Sequence, residues 1–245
     1  MSGHSKWANI KVKKGKTDAI RGSVFTKIGR ELAIAVKQGG PDPNNNSRLR
    51  DVIAKAKQNN MPSDNIMRSI RKASGELDAV NYEEITYEGY AAGGVAIIVE
   101  ALTDNRNRTA GEVRHIFDKY GGAMGQNGCV SFMFNKKGVI IADKKGFSED
   151  DMMMIVLDAG AEDLVTDEDV FEIYTQPSEM GEVADRLRKA GVNVLSQNID
   201  MLSDVQIDPG EHLESVQKLI EKMEENDDVQ NVYHNAILPE IEEEE

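Results

Sequence analysis

Lysines at 6, 11, 13, 14 and 16 crowd the start of the chain, with Trp7 among them and no acidic side chain before Asp18. Clustered ammonium groups attract a polyanion, and an indole beside them can either stack on an exposed base or pack on a nearby apolar surface. A second set of cations follows at helical spacing. At about 100° per residue, Lys27, Arg30 and Lys37 fall opposite the apolar stripe Phe25, Ile28, Leu32 and Val36. Arg68, Arg71 and Lys72 do the same opposite Ile66, Ile70 and Ala73. Between them Arg48 with Lys55, and Arg50 with Lys57, flank the stripe Leu49, Val52, Ile53 and Ala56. Further on, TDNRNRT places Arg106 and Arg108 in a loop entering a helix, with Thr109 and Glu112 spaced as a capping box. Free N–H groups and the helix dipole favour an anion there, so a second phosphate contact is expected, against the plainer reading of exposed arginines on a connecting loop.

Residues able to do catalysis are few. His115 and Asp118 share a helix, but no G-x-S-x-G, H-E-x-x-H, Walker or paired-cysteine motif supplies a nucleophile, metal or nucleotide site. Cys129 is the single cysteine and the four histidines are scattered, which excludes an internal disulfide and a cysteine-rich zinc site. Gly121, Gly122, Gly125 and Gly128 follow a helix and precede a strand, so they read as a tight connection rather than a phosphate loop. Met152, Met153 and Met154 read as helix packing residues. The expectation is a protein without catalytic residues, metal, cofactor or small-molecule substrate.

Those cations need elements to hold them, and the elements are legible in the apolar pattern. The first helix stops at Gly39-Gly40-Pro41. The second follows a Pro/Asn loop with Ser47 as its expected cap, and the third starts after Asn60-Met61-Pro62 with Ser63 as cap and ends at Gly75. Residues 20–75 therefore read as a three-helix bundle behind a flexible basic arm, and the second and third helices could form a helix-turn-helix reading Asn65, Arg68, Ser69, Arg71 and Lys72. Beyond Leu77 the period changes from 3.6 to 2. Strands are expected at 84–90 and 95–102, a helix from Ala110 to Tyr120 and a strand over CVSFMF. From Gly138 the order is β-α-β-β-α-β, a ferredoxin-like unit, after which helix 211–225 and strand 228–237 return to complete the earlier sheet.

The fold class is thus α+β: an N-terminal three-helix bundle plus two α/β domains, the last ferredoxin-like and inserted into the middle one. The expected domains are 1–78, 79–133 plus 205–245, and 134–204. The chain has 245 residues and a formal net charge of −14. That sum conceals an asymmetry. Residues 1–76 carry 16 Lys and Arg against 6 Asp and Glu, a net of +10, and the remainder carries −24 and ends in PEIEEEE. No apolar run reaches the roughly 18 residues of a membrane span, and the first residues lack the apolar core of a secretory signal, so a cytoplasmic protein without membrane contact is expected.

The opening SGHSKWANIK with its following lysines, the TDNRNRT segment and GGAMGQNGCVSFMF together strongly resemble the YebC family of bacteria and mitochondria, over the whole length. Ala123-Met124 stand where Asn-Leu is usual, and Cys129 where Ser is usual. The resemblance implies a non-enzymatic cytoplasmic regulator. Bacterial members are described as transcriptional regulators that bind DNA, and a mitochondrial member as a translational activator linked to the ribosome. The residues themselves point to a polyanion without naming which. Nucleic acid, DNA or ribosomal RNA, is the expected partner of Lys6, Trp7, Lys11, Lys13, Lys14, Lys16, Lys27, Arg30, Arg48, Arg50, Lys55, Arg68, Arg71, Lys72, Arg106 and Arg108. The ribosome is an alternative docking partner, and no heptad argues against a monomer.

Overall fold

Helix α1 spans Asp18–Gly39, α2 Ser47–Gln58 and α3 Ser63–Ala73 in the computed structural model, which describes residues 18–75 and 81–239, the side chains of the first four excepted. Lys6, Trp7, Lys11, Lys13, Lys14 and Lys16 lie outside the described residues. The bundle core follows the predicted stripes, Ile28, Leu32 and Val36 packing with Leu49, Val52, Ala56, Ile66 and Ile70, while Ala35 and Met61 join it and Phe25, Ile53 and Ala73 are only partly buried at its edge. A fully buried leucine such as Leu32 or Leu49 contributes about 1.5–3 kcal/mol by leaving water. The caps differ from expectation. Asn46, not Ser47, caps α2: its carbonyl accepts from Leu49 N (3.0 Å) while its amide donates to Ala35 O (2.7 Å) and Gly40 O (2.8 Å). One buried amide thus closes the α1–α2 turn, which Gly40 enters with φ +83°. At α3 the cap position is Pro62, with no side-chain bond, and Ser63 is the first helical residue.

Strands β1 (Glu83–Tyr90) and β2 (Ala96–Thr103) form an antiparallel pair, followed by α4 (Arg106–Lys119) and the two-residue β3 (Ala123–Met124), which pairs with β1. The chain then builds a second sheet before α7 (Leu213–Glu225) and β8 (Val229–His234) return to the free edge of β2, giving the order β3-β1-β2-β8. Two expectations are corrected here. CVSFMF is not a strand but a loop and a short 3-10 turn at Ser131–Met133, with only Phe134 entering a strand, because the amides of Gly128, Val130 and Ser131 donate instead to the carboxylate of Glu88 (2.8–2.9 Å). Helix α4 begins at Arg106, not Ala110, and is capped by Asn105, whose side chain accepts from Arg108 N.

The second sheet comprises β4 (Phe134–Asp143), β5 (Asp163–Thr166), β6 (Val170–Thr175) and β7 (Val194–Ser203), in the order β5-β6-β4-β7 with every pair antiparallel. Helices α5 (Glu149–Asp158) and α6 (Met180–Lys189) connect them, so the β-α-β-β-α-β unit is ferredoxin-like. Met152 is buried, whereas Met153 and Met154 are exposed rather than packed. By compactness the helices fall with the first sheet in one unit, and Phe132–Asp208 with the segment from Asn235 forms the other.

At Gly138, on the helix side of β4, an added Cβ would press on Thr175 Oγ1 and on Met180 of α6. Gly138→Ala is therefore expected to destabilise the ferredoxin-like unit by about 1–3 kcal/mol, seen as a lower urea midpoint by near-UV circular dichroism.

Candidate nucleic-acid interface

The cations expected to share one role divide into two groups. On α1, residues 27, 30, 34 and 37 lie along one side, away from the bundle core, and that side is turned to the first sheet and its helix α7, with Lys37 at its exposed end. Lys27 Nζ donates to Glu224 O (2.6 Å) in the last turn of α7, and Ile34 is buried. Arg30 donates to Leu102 O (3.2 Å) and to Asp227 O, and its guanidinium lies 5.6 Å from the Tyr82 ring centre. Lys37 reaches Asn81 Oδ1 (3.1 Å). The carbonyls at the end of a helix have no partner within it and carry partial negative charge, so Lys27 satisfies a real electrostatic need at the end of α7, while Arg30 serves the turn that follows it.

Asp228 stands at the centre of this contact. It is 3% exposed and meets Arg30 Nη1 at 2.5 Å and Arg108 Nη2 at 2.7 Å. The hydroxyls of Thr109 (2.5 Å) and Thr103 (3.2 Å) complete its shell. Burial pushes the Asp228 carboxyl up, but hydrogen bonds from Thr109 and Arg108 and the charge of Arg30 outweigh it and hold it below the usual carboxylate range. Arg108 also pairs with Asp104 (2.9 Å), and its hydrogen bonds to both carboxylates push its pKa up. The TDNRNRT segment therefore supplies a guanidinium and two threonines to an internal carboxylate, and Asn105 occupies the helix N-terminus where an anion was expected. Arg106 is exposed and takes no part in this shell.

The glycine-rich loop is similarly filled from within. Glu88 is 5% exposed, and although burial alone raises its pKa, the amides of Gly128, Val130 and Ser131 lower it further than burial raises it. Burial and the Glu88 charge in turn push the Cys129 thiol up. This agrees with the reading of a tight connection, and the carboxylate that organises it lies forty residues away, out of reach of local pattern.

The remaining cations face water. Arg68, Arg71 and Lys72 on α3, Lys57 on α2 and Arg106 are exposed, and their side chains make no hydrogen bond or ion pair among the described residues. Arg50 bonds only a neighbouring loop carbonyl, Pro43 O (3.1 Å). Lys55 pairs with Glu31 (2.6 Å), and Arg48 with Gln38 and Glu84, both at the surface, where such pairs give way easily. Of the expected reading residues, Asn65 and Ser69 are half-buried. Asp228 and Thr103, which fasten the helical part, were not singled out in the sequence, where carboxylates are too abundant to be informative, and Thr109 was singled out only as a cap.

Fold and surface together define a class: a small helical module with an outward cationic side, fastened through its other side to an acidic α/β body that carries a ferredoxin-like unit. Residues 5–76 match the TACO1/YebC N-terminal domain, and residues 82–236 match the TACO1/YebC second and third domain. The chain belongs to the YebC family. It is 60% identical over 239 residues to a "Probable transcriptional regulatory protein" of Acetivibrio thermocellus, covering 96% of this chain and 98% of that one. A relative of the same name from Clostridium tetani is 57% identical over 242 residues, with 98% of each chain covered. Among solved structures, a conserved hypothetical protein from Aquifex aeolicus superposes with a TM-score of 0.81 at 46% identity, covering 94% of this chain and 96% of that one.

Asp228→Asn leaves two guanidiniums facing an uncharged group, and removing one partner of a buried pair costs about 3–5 kcal/mol. Urea unfolding at pH 7 is expected to show that loss. The depressed pKa values of Asp228 and Glu88 stabilise the fold above the ordinary carboxyl value of about 4 and cease to do so as pH falls below it. The wild type should therefore lose stability on that acid limb, and Asp228→Asn should lose less there because part of the contribution is already gone.

Proposed function

We propose that this protein is a non-catalytic regulator that binds nucleic acid through its N-terminal part, as a DNA-binding transcriptional regulator in a cytoplasmic setting. The observation that carries the reading is the division of the cations: α1 spends its own on the body of the protein, while Arg50, Lys57, Arg68, Arg71 and Lys72 of α2 and α3 are left to solvent. Exposed cations along two short helices of a protein with net charge −14 are an arrangement for phosphate, and the acidic remainder repels a polyanion elsewhere. The names of the relatives from Acetivibrio thermocellus and Clostridium tetani support a role in transcription. In this reading Lys6, Trp7, Lys11, Lys13, Lys14 and Lys16 add contacts from the N-terminal segment, Arg106 gives a further one, and Lys55 and Arg48 exchange their surface partners for phosphate. Arg30, Lys27 and Arg108 act indirectly, by fixing the helical module in place.

If about six cations contact phosphates, affinity for duplex DNA falls by roughly three decades between 50 and 200 mM salt. Fluorescence anisotropy of a labelled random duplex should show that slope, and Arg68→Glu with Arg71→Glu should flatten it and weaken binding with melting unchanged. Unaltered binding by that variant would overturn the proposal. The same protein mixed with ribosomes and excess duplex distinguishes the partner: displacement by DNA supports transcription, and retention on ribosomes transfers the cationic side to ribosomal RNA.

A further inference from the structure

The second sheet has two buried faces, and the described helices account for one. Ile140, Ala142, Phe171 and Ile173 point into the core with α5 and α6. Strand alternation places Val139 and Ile141 of β4, Val170 and Tyr174 of β6 and Leu202 of β7 on the opposite side. Val139, Ile141 and Val170 are at most 4% exposed, and among the described residues every member of their cluster comes from the strands themselves. A sheet face becomes inaccessible to water when another part of a protein lies on it.

The same side is acidic. Register sets Glu172 opposite Ile141, Asp163 opposite Tyr174 and Asp200 opposite Lys137. Glu172 is 3% exposed and accepts the Tyr174 hydroxyl at 2.6 Å; burial first, and then this carboxylate, push the Tyr174 pKa up. Ser196 Oγ, on the same side of β7, is buried without a hydrogen bond.

Three stretches of sequence lie outside the described residues. Residues 76–80, ELDAV, and 240–245, EIEEEE, carry the same sign as the face and would be repelled by it. Residues 1–17 carry the opposite sign, with five lysines, no carboxylate, and the apolar Trp7, Ile10 and Val12 interspersed. Seventeen extended residues reach up to about 60 Å, ample to cross a small sheet. We propose that this N-terminal segment docks on the open face of the ferredoxin-like sheet, its apolar residues over Val139, Ile141 and Tyr174 and its lysines toward Asp163, Glu172 and Asp200, so that a polyanion must draw it off to use those lysines. The competition rests on the polyanion reading above; the docking does not.

Trp7 is the single tryptophan, so its fluorescence reports the segment in the intact chain. Acrylamide quenching of the full-length protein is expected to be several-fold weaker than that of free N-acetyltryptophanamide. Asp163→Lys with Asp200→Lys should raise quenching toward the free value while circular dichroism and melting show a folded protein. Adding Lys11→Glu and Lys13→Glu to that background should restore the protection, which a merely structural effect of the sheet variants would not do. Free quenching in the wild type, protection indifferent to the sheet charges in the folded variant, or no restoration would each overturn the docking. Inorganic polyphosphate, which has no bases to stack on an indole, should raise wild-type quenching. Its failure to do so with docking intact would overturn the competition alone, and the anisotropy titration judges the polyanion reading separately.

Discussion

A carboxylate removed from water between two guanidiniums is the interaction on which the rest of this protein's geometry depends. Isolated, a buried Asp228 would cost several kcal/mol, and attraction to Arg30 and Arg108 offsets that cost only because Thr103 and Thr109 fill the remaining hydrogen-bond positions. The backbone around it is engaged too: Asp228 N donates to Asn226 Oδ1, and Leu102 N donates to Asp228 O. One residue thus ties α1, the end of β2, the first turn of α4 and the α7–β8 connection together. Such a shell tolerates little displacement, which is why α1 is held against the body and not merely tethered to it.

That constraint explains how an acidic protein can offer a cationic surface. A helix with positive charge on one side and an apolar stripe on the other ordinarily turns its charge to water. Here α1 turns its charge inward, onto carbonyls in the last turn of α7 and in the turn after it, and onto Asp228, and the bundle it belongs to must then present α2 and α3 outward. Arg68, Arg71 and Lys72 remain in solvent, with no carboxylate of the described residues drawn over them. A second internal carboxylate, Glu88, shapes the glycine-rich loop by the same logic, replacing the anion that such a run of backbone amides could otherwise hold.

Much of this was legible in the sequence. The bundle core and the β-α-β-β-α-β order follow from periodicity, since each residue's burial is set by its neighbours along the element, and the return of β8 follows from the α-β piece left over beside an incomplete first sheet. What escaped is what depends on partners distant in sequence. Lys27 and Arg30 look like Arg68 and Arg71 in a helical projection, and nothing local tells that a helix end and the turn after it, some 200 residues on, receive them. Thr109 reads as a cap from its spacing to Glu112, yet its hydroxyl is spent on Asp228 and the cap falls to Asn105. CVSFMF has the composition of a strand, but its amides were already claimed by Glu88, forty residues earlier.

The division of the cations into fastened and outward groups is the central claim, and residue-resolved chemical modification tests it most directly. Arginines would be labelled with phenylglyoxal and lysines acetylated in the intact protein, with and without duplex DNA, and each site read by peptide mass spectrometry. The account predicts that Arg30 stays unreactive in both states, while Arg50, Lys57, Arg68, Arg71 and Lys72 react freely alone and are protected by DNA. Ready labelling of Arg30 in the folded free protein, or protection that leaves α2 and α3 untouched, would contradict it.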